Sequence, residues 1–283
     1  MRTATVVIGG GGMIGSAIVE KLAADERRSV QVVDIDYGQL CFLPPALQKA
    51  IRFHPADMAD PYHVNCVFNT IDMPIGAVVC AAGKMVYRAK GEPLNDHLKS
   101  NLVANYEPVA CSLSAIHELY ETGSPKLAPS AIVIVISSVD GELVLTDVEN
   151  CGYARAKREV DELVRRYGAA WRPPGAPSVV SIGLGTTFYL EPTDPSLLSR
   201  NNARWQGRLA KDPGLPDQLG HRLIDGRVMS PVKVAQMLCE LVSSPTLVRG
   251  MLGQTVDLSG GLRLYGLCPT ADERNPYAKP TPN

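Results

Sequence analysis

No apolar run in the chain approaches the ~18 residues needed to cross a bilayer, and no Cys-x-x-Cys spacing marks a metal or redox site. Nor is there an excess of charge: 28 basic against 29 acidic residues leave a formal net charge of -1 over 283 residues. That balance removes the electrostatic case for nucleic acid or an anionic membrane surface as a partner. Seven cysteines, at 41, 66, 80, 111, 151, 239 and 268, are scattered and odd in number, the pattern of reduced structural thiols without a metal. The first expected strand begins almost at the N-terminus, leaving no room for a signal peptide, so a cytoplasmic protein is expected.

What is present is a regular alternation of strand and helix. Strands are expected at Thr3–Ile8, Ser29–Asp34, Ala50–His54, Ala77–Ala81, Ala131–Ser137, Ser178–Gly183 and Thr255–Leu258. Helices are expected at Ile14–Ala24, Pro61–Thr70, Leu94–Glu121, Tyr153–Trp171 and Pro231–Ser243. Runs such as Ile132-Val133-Ile134-Val135-Ile136 lack polar alternation, as befits a parallel sheet covered on both faces. The fold class is α/β, a doubly wound parallel sheet in one domain spanning 1–283, with its ligand crevice at the carboxyl ends of the strands. The proline-rich stretch Arg172–Pro177 reads as a loop and not a domain linker.

Val6-Val7-Ile8 leads into Gly9-Gly10-Gly11-Gly12-Met13-Ile14-Gly15, and Ser16 to Ala24 has helical spacing. Strand, glycine turn and helix start together aim bare backbone N–H groups and a positive helix end at a diphosphate. A glycine cluster alone is equally an ordinary tight turn. Here Val30-Gln31-Val32-Val33-Asp34 follows, an apolar strand ending in an acid nineteen residues after Gly15. A dinucleotide fold places there the carboxylate that holds the adenosine ribose hydroxyls. Asp34 would repel a 2′-phosphate, and Ile35, Asp36 and Tyr37 bring no cation, so NAD is favoured over NADP.

Tyr153 and Lys157 lie at i and i+4, on one helix face. A phenol titrates near ~10, and a fixed cation beside it favours the phenolate, toward the range useful to a general acid or base. Taken alone, the pair equally describes a surface tyrosine with a solvated lysine.

In order, these segments resemble the short-chain dehydrogenase/reductase family over nearly the whole chain. Asp57-Met58-Ala59-Asp60 resembles its acidic turn against adenine, and Cys80-Ala81-Ala82-Gly83 its Asn-Ala-Gly segment, with Cys and Ala replacing the asparagines. Asn101 lies in a helical stretch where the family keeps an asparagine, and Ile136-Ser137-Ser138 ends a strand at the place of its serine. Leu184-Gly185-Thr186-Thr187 resembles the turn that closes over nicotinamide, without the usual proline. Residues 253–261 are similar to the last strand of the single-domain members. One departure stands out: glycines at 9, 12 and 15 follow the spacing of the extended members, while single-domain members carry glycine where Met13 stands; with its length and its last strand, the chain resembles a single-domain member with an atypical glycine-rich loop.

The resemblance implies a Rossmann fold and an NAD(H)-dependent oxidoreductase acting on a secondary alcohol or ketone. It implies a catalytic set of Ser138, Tyr153, Lys157 and Asn101. The cofactor contacts it implies are Gly9, Gly12, Met13, Ile14, Gly15, Asp34, Asp57, Met58, Ala81, Ala82, Gly83, Gly185, Thr186 and Thr187, with Tyr153 and Lys157. In that set Tyr153 exchanges a proton with the substrate oxygen and Lys157 lowers its pKa and holds the nicotinamide ribose. Ser138 hydrogen-bonds the same oxygen, and Asn101 supports a relay water. On the residues alone, Ser138 is also a strand-end hydroxyl and Asn101 a helix-face amide.

Two other readings stay open: a nucleotide-sugar epimerase or dehydratase, hinted at by the glycine spacing, and a non-catalytic dinucleotide sensor. The stretch 186–227 is expected to be a substrate loop or lid. Its Arg200, Arg204 and Arg208 fit either a clamp for an acidic small-molecule substrate or a solvated helix face. The family also implies a homodimer or homotetramer, and residues 262–283 form a proline-bearing tail.

Overall fold

Short apolar, β-branched segments pair in parallel because helical crossovers return the chain to the same end of the sheet each time. In the computed structural model, which describes residues 2–138, 151–185, 187, 189, 203–214 and 229–257, these segments form one sheet. Its strands are β1 (Ala4–Ile8), β2 (Ser29–Asp34), β3 (Ile51–Pro55), β4 (Ile75–Cys80), β5 (Leu127–Ser138), β6 (Ser178–Leu184) and β7 (Thr255–Asp257). Their order is β3-β2-β1-β4-β5-β6-β7, and every pairing is parallel. The helices are α1 (Met13–Ala23), α2 (Pro45–Ala50), α3 (Pro61–Thr70), α4 (Leu94–Asn105), α5 (Glu107–Glu121), α6 (Cys151–Ala170), α7 (Ala203–Lys211), α8 (Pro231–Val242) and α9 (Pro245–Gly250). This is the doubly wound Rossmann-type α/β fold. The strand order reverses between β1 and β4, which opens the crevice where such sheets bind ligands.

Alternate side chains of each strand feed two cores. Val6, Ile8, Val33, Val78, Val133 and Val135 pack under α3, α5 and α6 with Leu113, Ile116, Val160 and Trp171. Val7, Val32, Val79, Ile134, Val180 and Ile182 pack on the other face with Ile18, Leu22, Val234 and Leu238 from α1 and α8. The two-sided burial explains the unbroken apolar runs in the sequence. Arg249 fastens the far end of α6: its guanidinium donates to the carbonyls of Trp171, Arg172, Pro173 and Pro177.

The expected helix Leu94–Glu121 is two helices. Pro108 sits in the first turn of α5 and has no N–H to continue the ladder of α4, so the chain breaks at Tyr106. The strand β5 begins at Leu127, ahead of the expected Ala131, and Ala50 ends α2 and does not open β3. Of the expected lid, the described residues are 187, 189 and 203–214, and α7 lies among them. The rest of that stretch, Thr186 included, and the tail 262–283 lie outside the described residues. Among the described residues no helix is long and apolar enough to cross a membrane.

Candidate active site

The first turn after β1 is built for close approach of backbone. Gly9 has φ +79°, and a Cβ there would overlap the backbone of Ala81 and Ala82. Its N–H donates to Val33 O at 2.8 Å and its carbonyl accepts from Gly12 N at 3.2 Å, so the loop folds back on itself. Gly12 caps α1 in an extended conformation and, being glycine, makes no side-chain cap hydrogen bond to the helix end. The first backbone N–H to close the helical ladder is that of Ser16, onto Gly12 O at 2.8 Å. The amides of Met13, Ile14 and Gly15 precede it and form the bare, positive helix start.

Asp34, at the end of β2, faces this loop. Its Oδ2 accepts from Gly11 N at 2.8 Å and its Oδ1 from Ile35 N at 2.7 Å. Burial holds its carboxyl above the usual carboxylate value, against the pull of those two hydrogen bonds. Along the next edge, Asp57 Oδ1 accepts from Ala59 N at 2.9 Å while Met58 is buried beneath it. Ala81 N donates to Ile8 O at 2.8 Å, which ties the end of β4 to the glycine turn. The residues fit a dinucleotide: a glycine cradle that a Cβ would fill, a bare helix start and a carboxylate beside them.

On the other side of the crevice, α6 lies against β5 and β6. Lys157 keeps 4% exposure, and its Nζ donates to Ile136 O at 3.0 Å, two residues before Ser138. The same Nζ lies 5.7 Å from the ring centroid of the half-buried Tyr153. Burial lowers the Lys157 ammonium to about 8, with Asp161 and Cys80 opposing the fall. Cys80, fully buried below it, has its thiol pushed up to about 12 by burial. Ser138 is 7% exposed and pairs with Leu184 in the sheet, next to Gly185. Thr187 Oγ1 donates to Gly185 O at 3.0 Å and fixes that turn.

The two asparagines of α4 behave differently. Asn101 spends its amide on Val86: Oδ1 accepts from Val86 N at 3.2 Å, and Nδ2 donates to Val86 O at 3.0 Å and His97 O at 3.1 Å. A Cβ on Gly152, the residue before Tyr153, would lie 2.7 Å from Asn101 Nδ2, so Asn101 packs under the start of α6. Asn105, one turn on, donates from Nδ2 to Lys84 O at 2.8 Å and Asn101 O at 3.0 Å. Its buried Oδ1 has no hydrogen-bond partner among the described residues. At Gly83, whose φ is +146°, a Cβ would lie 2.7 Å from that Oδ1 and 3.3 Å from Lys157 Nζ. Asn105, which the sequence did not single out, therefore reaches the Gly83–Lys157 corner. The signal available was the repeat of asparagine at i and i+4 of one helix.

The model of the NAD dependent epimerase/dehydratase family matches residues 5–179, well over half of the chain. The chain belongs to that family. It thereby sits among the short-chain dehydrogenases/reductases, NAD(P)-dependent oxidoreductases and epimerases. Among solved structures it is similar to a short chain dehydrogenase family protein from Francisella tularensis subsp. tularensis SCHU S4, at 18% identity and TM-score 0.69 over 92% of this chain and 98% of that one. An oxidoreductase of the short chain dehydrogenase/reductase family from Burkholderia thailandensis gives 19% and 0.72 over 93% of each chain. ElxO with NADP bound gives 14% and 0.73 over 92% of this chain and 98% of that one. At these identities the likeness speaks for the fold. A search of curated proteins gives no match.

Proposed function

We propose that this short-chain dehydrogenase/reductase is an NAD(H)-dependent oxidoreductase of secondary alcohols and ketones, with Tyr153 as general acid and base. The observation that carries it is the buried Lys157, anchored at the end of β5 beside Ser138 with its Nζ 5.7 Å from the Tyr153 ring. The Met13 to Gly15 amides hold the diphosphate, and Asp34 accepts from the adenosine ribose. A bound nicotinamide ring supplies or receives the hydride. Tyr153 gives its proton to the substrate oxygen in reduction and takes it back in oxidation. The Lys157 ammonium favours the phenolate form, and the Ser138 hydroxyl donates to the oxygen where charge develops. Asn105 supports the Lys157 corner more directly than Asn101, because its Oδ1 points to Gly83.

The choice of NAD rests on the carboxylate of Asp34 and on Ile35, Asp36 and Tyr37, which offer a 2′-phosphate no cation. Exposed Leu94 and Val103 on α4 support pairing of two copies. A second reading, a nucleotide-sugar epimerase or dehydratase, is favoured by the matched family model and by the glycine spacing. The two differ in product: an alcohol dehydrogenase releases NADH in step with ketone, whereas an epimerase returns its cofactor to the starting state.

The test is NADH formation across a panel of secondary alcohols and nucleotide sugars, run on the wild type and on Tyr153→Phe. The expected result is stoichiometric NADH from an alcohol, lost by at least ~10²-fold in the variant while NADH binding persists. Near-wild-type turnover in Tyr153→Phe would remove the proposed proton donor.

A further inference from the structure

Lys157 and Asp161 stand one turn apart on the same face of α6, and each keeps 4% exposure. The chemistry above uses the first and has no part for the second. A buried ammonium is costly unless an opposite charge stands near it. The titratable groups facing Lys157 are Cys80 from β4, Tyr153 from its own helix and Asp161. Cys80 remains a neutral thiol at physiological pH, since burial pushes it up to about 12. Tyr153 is the group that the lysine acts on. Among the described residues, Asp161 is the remaining anion.

Its carboxylate is gripped from the sheet. Ser181 Oγ donates to Asp161 Oδ1 at 2.5 Å, and the hydroxyls of Ser137 and Thr255 also favour the charged form. These three hydroxyls come from β5, β6 and β7, and Ser181 and Thr255 are direct partners in the sheet. Burial raises Asp161 above the usual carboxylate value, while the hydroxyls and Lys157 pull it back down. A surface acid needs none of this. Asp161, Ser137 and Ser181 are buried in an otherwise apolar layer, and a buried carboxylate is costly unless it is hydrogen-bonded and paired with an opposite charge.

We propose that Asp161 is a positioning residue, the fixed counter-ion that keeps the Lys157 ammonium charged beside Tyr153. This rests on the reading of Lys157 as the partner of Tyr153. Asp161 acts through the lysine and touches neither substrate nor cofactor. Asp161→Asn keeps the shape and one acceptor oxygen, for Ser181 Oγ, and removes the charge together with the second acceptor oxygen.

The experiment follows the Lys157 side-chain signal by NMR in the full-length protein labelled at lysine, without substrate, as pH is raised. The signal is assigned by its disappearance in Lys157→Met. In Asp161→Asn the Lys157 midpoint is expected to fall by at least ~1 pH unit, a tenfold loss of proton affinity. An unchanged midpoint would overturn the proposal. Should Asp161→Asn not fold, the reciprocal measurement decides: in Lys157→Met the Asp161 carboxyl is expected to titrate at least ~1 pH unit higher than in the wild type. No movement there overturns the proposal equally. Turnover against pH on Asp161→Asn separates the two ideas. A moved Lys157 midpoint with an unmoved pH profile supports the counter-ion and removes Lys157 from the activation of Tyr153.

Discussion

Replacing Lys157 by Met should change how stability depends on pH, and the size follows from burial. The ammonium is buried, and desolvation brings its pKa from the ordinary 10.5 down to about 8. Below about 8 both the folded and unfolded chains hold the proton, and the folded state bears the full cost of a buried charge. Between about 8 and 10.5 the unfolded chain keeps a proton that the folded one has released, so stability rises with pH across that window. The gap of about 2.5 pH units corresponds to about 3 kcal/mol in all. About 2 kcal/mol of it falls between about pH 7 and about pH 10. Urea unfolding followed by circular dichroism at a series of pH values, on wild type and Lys157→Met, measures it. The wild-type curve is expected to climb relative to the variant's by that amount, whatever the offset between them. Parallel curves would mean that Lys157 titrates as an exposed lysine, and the buried Tyr153–Lys157 site would lose its basis.

Two further substitutions probe the scaffold. Arg249→Ala deletes the hydrogen bonds to the carbonyls of residues 171, 172, 173 and 177 at the end of α6, and should lower stability by about 2 kcal/mol, read as a fall in urea midpoint with NADH affinity unchanged. Gly9→Ala meets the Ala82 backbone at a φ of +79°, so it should cost about 1–3 kcal/mol and weaken NADH binding at least tenfold; wild-type affinity would mean that the turn is not the phosphate cradle.

The sheet was legible because its strands carry continuous β-branched runs, and the crevice because Gly9, Asp34, Gly83 and Ser138 fall at strand ends. The break at Tyr106 was masked by good helical spacing on both sides, although Pro108 was there to see. Asn105 was missed for a register reason. Two asparagines one turn apart on α4 share a face, and only the packing against Gly83 and Gly152 tells which corner each reaches. Asp161 was invisible for the opposite reason. An acid four residues after a lysine on a charged helix reads as a solvated pair, and its burial comes from Ser181 and Thr255 on strands distant in sequence. The helix α7 occupies part of the stretch expected as a loop or lid, where the spacing of Arg200, Arg204 and Arg208 also fitted a helix face; its residues, Ala203–Lys211, contain one glycine and no proline.

The most direct test of the central claim is a fluorescence titration with NADH and with NADPH, on the wild type and on Asp34→Ala. The expected result is tight NADH binding, weaker NADPH binding, and loss of that preference in the variant. Failure to bind either nucleotide would contradict the dinucleotide crevice, and tighter binding of NADPH by the wild type would contradict the role given to Asp34.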